Sequence, residues 1–203
     1  MLKRSFDILS SGLGLLLISP ILLIVSLAIT LSSKGGVFYK QSRVGLNGVN
    51  FNILKFRTMF TGSDKKGLLT VGDRDPRVTP IGYYLRKYKL DELPQLINVL
   101  IGDMSLVGPR PEVSKYVNLY SKEDRVVLSI KPGITDYASI YFRNENEILK
   151  TSDNPEKKYI EEVMPRKLEL NKKYIAEKGI WTDLKIIFMT LKSIFHKNEK
   201  PVT

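Results

Sequence analysis

The chain has no cysteine, and this absence is the first limit on its chemistry. It excludes disulfides and a thiolate nucleophile, and it makes a zinc site a poor reading. The single histidine, His196, sits in a basic tail and is badly placed to act as a general base. Acid–base or nucleophilic work therefore falls to Asp, Glu, Lys or Tyr. No G-x-x-x-x-G-K-[ST] occurs and no G-x-G-x-x-G follows a strand, which argues against a P-loop NTPase and a Rossmann dinucleotide enzyme. Internal repeats and low-complexity tracts are also missing. Acidic residues are in short supply, 21 against 32 Lys and Arg, for a net charge of +11. That surplus calls for an anionic partner: nucleic acid, anionic lipid or a phosphorylated substrate. At 203 residues the chain has room for one domain with appendages.

Charge is absent from one long stretch. Residues 8–33 are 26 consecutive uncharged positions, and thirteen of residues 13–31 are Leu, Ile or Val. At about −0.3 to −0.6 kcal/mol for each near a helix centre, membrane insertion is favoured by several kcal/mol. One proline, Pro20, costs roughly 3 kcal/mol in a helix interior and does not cancel that. A straight helix of this length, about 39 Å, would span a core of about 30 Å. Divided at Ser19-Pro20, its arms of about 18 and 21 Å each reach mid-bilayer without crossing. Basic residues flank both ends, Lys3 and Arg4 before, Lys34, Lys40 and Arg43 after. The positive-inside tendency then places both flanks in the cytoplasm, as in a helix that dips in and returns. A single span stays open on length; a signal peptide fits less well, since no A-x-A site follows the run.

The densest chemistry lies at LRKYKLDELPQLINVLIGDMSLVGPRP, residues 85–111. Adjacent carboxylates, Asp91 and Glu92, precede Leu93 and Pro94, and Leu93, Leu96, Ile97 and Leu100 recur at helical spacing up to Gly102. This spacing predicts a helix of roughly ten residues opening at Asp91 or Glu92, with Asp91 near its N-cap and facing the positive end of the dipole. Such a position keeps a carboxylate ionised and also gathers phosphate. Arg86, Lys87 and Lys89 crowd the approach, and Arg110 follows between Pro109 and Pro111. A guanidinium in a stiffened loop presents its fork to phosphate at little entropic cost. The same Asp-Glu grammar also opens many helices that have no catalytic role.

Elsewhere the pattern is coarser. Val37-Phe38-Tyr39 and Phe51-Asn52-Ile53-Leu54 flank Asn47-Gly48 and predict a small β-hairpin. Lys55 and Arg57 share a face if the second strand continues through them. Residues 61–79 read as a loop, in which Asp73 and Asp75 match no EF-hand spacing and are expected in solvent. Thr79-Pro80 reads as an N-cap and first helical position, leading through Tyr84, Leu85 and Tyr88. Glu112 to Tyr120 and Glu123 to Leu128 are helix-compatible, and Lys131-Pro132-Gly133 reads as a turn. Residues 150–173 predict charged surface helices interrupted at Pro155 and Pro165. In the last helix Trp181, Leu184, Ile187, Phe188, Leu191, Ile194 and Phe195 form one stripe, with Asp183, Lys185 and Lys192 outside it. Two accounts of that stripe stand open: packing on the core, or an interfacial helix lying on the bilayer beside the basic tail 197–200.

The runs Asp91-Glu92-Leu93-Pro94-Gln95-Leu96, Asn98-Val99-Leu100, Gly102-Asp103-Met104-Ser105 and Gly108-Pro109-Arg110-Pro111 resemble the bacterial sugar transferases. These are small monotopic phosphoglycosyl transferases that start glycan assembly on a polyprenol carrier. Lys55-Phe56-Arg57-Thr58-Met59 and Pro132-Gly133-Ile134-Thr135 are similar to that family too, and the likeness runs from about residue 2 to 195. The resemblance implies a re-entrant helix broken at Ser19-Pro20, residues 1–34 as membrane anchor and 35–203 as a catalytic domain on the cytoplasmic face of the bacterial inner membrane. It implies transfer of a sugar-1-phosphate from a UDP-sugar to polyprenol (undecaprenyl) phosphate, with Mg²⁺, through a covalent phosphosugar on Asp91 and release of UMP. Glu92 is expected to hold the metal with Asp91 or to activate the acceptor phosphate. Lys55, Arg86, Arg110 and Arg143, the last after Tyr141-Phe142, are expected at the substrate. Other glycan-assembly enzymes are further expected partners, and nucleic acid is not. One departure stands out: Asn171 occupies a position where the family commonly carries Asp. The fold expectation is α+β, mainly helical, with a small hairpin and interfacial amphipathic helices. The rival to catalysis is a basic peripheral scaffold on anionic lipid, which accounts for the charge and the apolar segment but not for the carboxylate pair among arginines.

Overall fold

The computed structural model describes residues 2–63 and 75–195. Asp73, His196 and the tail 197–200 lie outside the described residues, as do the side chains of Ile194 and Phe195. In chain order the elements are α1 (Leu2–Ser32), β1 (Phe38–Val44), β2 (Asn50–Phe56), α2 (Pro80–Lys87), α3 (Gln95–Ile101), β3 (Ser105–Val107) and α4 (Ser114–Val117). They continue with β4 (Gly133–Thr135), α5 (Tyr137–Tyr141), α6 (Glu145–Lys150), α7 (Pro155–Lys158), α8 (Met164–Glu177) and α9 (Ile180–Phe195). Among the described residues the chain is thus mainly helical with two small two-stranded sheets.

The apolar run forms α1, which is helical without interruption through Pro20. The expected break at Ser19-Pro20 is therefore not a gap in helical structure. The Ser19 hydroxyl donates to the Leu16 carbonyl at 2.8 Å. Ser11, Ser26, Thr30 and Ser32 likewise turn back on carbonyls three or four residues earlier. These five hydroxyls are so satisfied internally, which suits a helix surrounded by apolar medium. Leu16, Leu17 and Leu23 are 71, 69 and 72% exposed along its middle.

Both ends of α1 are tied to the remainder of the chain. Near the N-terminus Asp7 is buried and accepts from the Ser105 hydroxyl at 3.1 Å and the Leu106 N–H at 3.0 Å. Lys3 reaches Asp183 at 2.5 Å and the Val107 carbonyl at 3.0 Å. Near the C-terminus Val25 and Ile29 pack with Phe56 and Leu85. There Arg57 donates to the Ser33 carbonyl at 2.9 Å and also to that of Lys34, a cation placed on carbonyls that the helix end leaves unpaired. The condition for Lys55 and Arg57 to share a strand face is not met, since β2 ends at Phe56 and the two side chains serve different elements.

The hairpin forms as expected. β1 and β2 pair antiparallel from Phe38 opposite Phe56 to Val44 opposite Asn50. Asn47 and Gly48 turn the chain with φ of 54° and 78°, the left-handed region that the pair tolerates. The other edge of β2 is finished by a side chain: Asn98 accepts from Leu54 N–H and donates to the Asn52 carbonyl, each at 2.9 Å.

Several expectations are corrected. The helix after the carboxylates starts at Gln95 and runs seven residues to Ile101, with Gly102 as its left-handed cap. Asp91 and Glu92 instead occupy a 3₁₀ turn, Leu90–Glu92, entered through Lys89 at φ 58°. That left-handed residue ends α2 sharply and turns Asp91 inward, so Asp91 is not an N-cap. Of the apolar residues at helical spacing, Leu93, Leu96 and Ile97 are half-buried and Leu100 is exposed. Gln95, Asn98 and Val99 are the residues α3 buries, while Leu96 and Leu100 lie over Gly14 and Gly12 of α1.

Lys131-Pro132-Gly133 leads into β4, which runs parallel to β3 rather than turning back. The two strands cross so closely that a Cβ on Gly133 would sit 2.1 Å from Gly108 N. Only glycine permits that approach. The predicted helices after Arg110 shrink to α4 and a 3₁₀ turn, Asp124–Ser129. Residues 150–173 are not merely surface helices. A π-turn, Tyr159–Val163, joins α7 to α8, and Pro165 is carried at the first turn of α8. Tyr159, Val163, Met164 and Leu168 then form the main core with Val113, Tyr116, Val127 and Leu149. The wider turn removes the need for the N–H that Pro165 lacks. Asp75 is paired with Arg77 at 2.6 Å rather than solvated. In α9, Ile186 and Asp183 are buried, whereas Trp181, Leu184, Phe188 and Leu191 of the predicted stripe are exposed.

Candidate active site

The site forms where three local constructions meet. The first is the 3₁₀ turn that presents Asp91 and Glu92. The second is the loop Gly108-Pro109-Arg110-Pro111, which is held along its backbone. Its Pro109 carbonyl accepts from Gly133 N–H at 3.0 Å, Arg110 N–H donates to Asp136 at 3.2 Å, and the Pro111 carbonyl accepts from Arg43 at 3.2 Å. The third is β2, whose penultimate residue, Lys55, points at the turn. Because β3 and β4 are parallel, the Arg110 loop and α5 leave them at the same end. Asp136, fully buried, caps α5 by accepting from Ser139 N–H at 2.6 Å and so ties the two together.

These pieces enclose a cavity of about 850 Å³. Asp91, Glu92, Lys55, Arg86, Arg110 and Arg143 all line it, so every site residue expected from sequence is brought to one place. Ser19 and Pro20 are in α1 and are not among its lining. Such a volume is ample for a nucleotide diphosphate sugar, since ligand pockets run about 300–1,000 Å³.

The cations are not shared equally between the two acids. Lys55 Nζ lies 3.1 Å from Glu92 Oε1, while Arg110 donates to both Glu92 oxygens. Burial alone would push the Glu92 carboxyl up, but Arg110 and Lys55 outweigh it and hold Glu92 well below the usual carboxylate range. Glu92 in turn raises the Arg110 guanidinium above its ordinary value. Burial lowers Lys55, with Glu92 opposing. Asp91 is the reverse case. Burial, then the charge of Glu92, raises its carboxyl, and Lys55, Lys89 and Arg86 only partly compensate. Asp91 Oδ1 is buried and has no hydrogen-bond partner. The expectation of an acid kept ionised by a helix dipole is thus replaced by that of a desolvated acid whose neighbour takes the cations.

Asp91 offers an open oxygen of the kind a divalent cation takes. The Glu92 oxygens already accept from Lys55 and Arg110, so Glu92 does not fit as a ligand in this arrangement. Among the described residues no group of three Asp, Glu, His or Cys side chains is placed to hold a metal. Mg²⁺ commonly uses one or two carboxylates together with substrate phosphates, so Asp91 alone is compatible with it.

Sequence reasoning missed the residues that hold the site rather than line up in motifs. Asp136 and Asn98 are examples, and a polar residue amid apolar ones was the available signal. Lys3, Asp183 and Tyr174 form a further network, with Tyr174 donating to Asp183 at 2.7 Å, that no spacing links.

The chain is similar to known proteins over most of its length. The family described as bacterial sugar transferase matches residues 1–197. The chain is 40% identical over 195 residues to the UDP-glucose:undecaprenyl-phosphate glucose-1-phosphate transferase of Escherichia coli K12, covering 94% of this chain and 39% of that protein. It is 35% identical to the UDP-N-acetylgalactosamine-undecaprenyl-phosphate N-acetylgalactosaminephosphotransferase of Aeromonas hydrophila, over 95% of this chain and 43% of the relative. The chain therefore spans about two fifths of the length of these two curated relatives. A Bacillus subtilis protein described as the uncharacterized sugar transferase EpsL is 38% identical, with 95% and 87% covered. On the match over nearly its whole length, the chain belongs to the bacterial sugar transferase family.

Proposed function

We propose that this chain transfers a sugar-1-phosphate from a UDP-sugar to polyprenol phosphate through a covalent aspartyl phosphosugar on Asp91. The observation that carries the reading is the buried, unpartnered Asp91 oxygen beside the Glu92–Lys55–Arg110 cluster in a cavity of nucleotide-sugar size. The activities for which the relatives are named support the donor and acceptor classes.

In the first step an Asp91 oxygen attacks the sugar-bearing phosphorus in line. The bond from that phosphorus to the bridging oxygen breaks, and UMP leaves with the bridging oxygen. In the second, an oxygen of polyprenol phosphate attacks the same phosphorus, the acyl phosphate bond breaks, and Asp91 is restored as carboxylate. The product is a polyprenol diphosphosugar, the first membrane-bound stage of glycan assembly. Arg86 and Arg143 at the cavity wall are placed to meet the diphosphate, and Arg110, its fork held on Glu92, adds positive charge beside them. Glu92 keeps Lys55 and Arg110 from closing on Asp91, which stays poorly solvated and available. Bound Mg²⁺, with Asp91 among its ligands, would neutralise the diphosphate oxygens.

The acceptor is a lipid, and the bare middle of α1 supplies a membrane contact. Because Lys3 and Asp7 at one end and Ile29 and Ser33 at the other all contact the catalytic part, a monotopic placement on the cytoplasmic face of the inner membrane is favoured over a straight span. The exposed stripe of α9 then rests at the bilayer surface. A non-catalytic scaffold would give the cavity no occupant.

UMP release from UDP-sugars by the purified chain, with polyprenol phosphate and Mg²⁺, tests the reading. Asp91→Asn is expected to abolish turnover, and mass spectrometry of trapped enzyme to find the phosphosugar on Asp91. Near-normal rates in the variant, or an adduct on another residue, would defeat the assignment.

A further inference from the structure

Asp91 is not alone in lining the cavity with an unsatisfied oxygen. Asn171 in α8 is 6% exposed, and its Oδ1 has no hydrogen-bond partner. Ser139 in α5 has a buried Oγ in the same condition. Both residues line the same cavity as Asp91, and α5 packs against α8, so the two lie on adjoining walls. A buried amide or hydroxyl without a partner costs about 1–3 kcal/mol, and a fold retains that cost where a ligand relieves it. Asn171 also borders a hollow of about 20 Å³ behind Arg110, next to Glu112 and Tyr120. It therefore lies close to the Pro109-Arg110-Pro111 loop, not at a remote rim.

We infer that Asn171 and Ser139 form the subsite that reads the hydroxyl groups of the donor sugar. This deepens the transferase reading and rests on it. Ligand chemistry favours the sugar over the base. The sugar is attached to the phosphate that meets Asp91, and a pyranose brings several O–H donors to the cluster of acceptor oxygens, whereas a uracil brings one N–H. A site that hydrogen-bonds a substrate hydroxyl rejects an epimer by leaving its own buried groups unpaired, so discrimination of tenfold or more is expected from such a pair. Asn171 also stands where the resemblance led us to expect an aspartate, and an amide can donate as well as accept.

The test uses the full chain in detergent or nanodiscs. Two quantities are measured: kcat/KM for UMP release across UDP-glucose, UDP-galactose, UDP-N-acetylglucosamine and UDP-N-acetylgalactosamine, and Kd for UDP alone. In Asn171→Ala and Ser139→Ala the ratio between the best and second-best donor is expected to collapse at least tenfold, with Kd for UDP within twofold of the parent. Asn171→Asp, which keeps the acceptor and nearly the same shape, is expected to retain most of the preference. It also serves if the alanine variant fails to fold. An equal loss across all donors, or weaker UDP binding in step with it, would overturn the inference and mark Asn171 as a contact to the base or to a buried water. If the unmodified chain binds UDP-sugars but releases no UMP, the transferase reading fails and this inference with it.

Discussion

Asp91 and Glu92 are neighbours in the chain, yet Lys55 at 3.1 Å and both prongs of Arg110 go to Glu92, and Asp91 keeps a buried oxygen without a partner. The pair therefore divides its work. Glu92 absorbs positive charge, and Asp91 bears the desolvation.

That division has a stability consequence. A carboxyl raised by burial binds protons more readily in the folded state, so it destabilises the fold increasingly as pH rises past its unfolded value, 3.8, towards the folded one. Asp91→Asn removes that burden. The variant is expected to lose turnover but to melt higher than the parent at pH 7, by about 2–4 °C for each kcal/mol relieved, with the gap closing below pH 4. Thermal unfolding across pH checks this.

Glu92 has the opposite sign. Its carboxyl is depressed, so its contribution is fully present above its unfolded value of 4.5 and is lost as pH falls through the folded value. Glu92→Gln leaves Lys55 and Arg110 facing each other. Breaking a buried pair costs about 3–5 kcal/mol; here about 2 kcal/mol is expected, because Arg110 is 35% exposed. The released cations should turn towards Asp91 and lower its carboxyl, so the acid limb of the kcat/KM profile should move to lower pH. An unmoved limb would contradict the charge division.

The Gly108–Gly133 crossing is a backbone contact that no side-chain shift can relieve. Gly133→Ala is expected to destabilise by more than about 3 kcal/mol, beyond ordinary overpacking, and to lose UMP release through the displaced Arg110 loop. Gly48→Ala, at φ 78° but in open space, should cost only about 1–2 kcal/mol. Equilibrium denaturation of the two variants makes the comparison.

Topology can be read with single cysteines, since the chain has none. Ser5→Cys and Lys34→Cys are expected to react with an impermeant maleimide from the cytoplasmic side alone. Labelling of position 5 from outside would require a straight span.

Asp183 joins the two ends of the chain through Lys3 and Tyr174. Asp183→Ala removes the carboxylate both donors share, leaving them the Val107 carbonyl, and is expected to cost about 2 kcal/mol, discounted because Lys3 is 43% exposed. Faster hydrogen exchange over residues 2–7 would report release of α1.

Much of the local structure was legible in the chain. The Asn47-Gly48 hairpin, the Thr79-Pro80 helix start, the Gly102 stop and the long apolar helix follow from propensities acting within about four residues, and each appears as expected. Recognition of the motifs likewise named Lys55, Arg86, Asp91, Glu92, Arg110 and Arg143, and all six line one cavity. What failed were inferences that needed a neighbour. Asp91 looked like a helix cap because the left-handed turn at Lys89 leaves no mark in composition. Pro165 looked like a break because the π-turn that accommodates it is chosen by burial of Tyr159 and Val163.

The sequence by itself determined the helices, the hairpin, the apolar segment and the residue types available for phosphoryl chemistry, because backbone sterics and side-chain patterning are local. Only the tertiary structure decided which acid receives the cations, which glycines must touch, and that Asp136 and Asp183 hold the framework. Those outcomes depend on Coulomb attraction and loss of water between groups up to 180 residues apart, and such distances close only when the chain has folded.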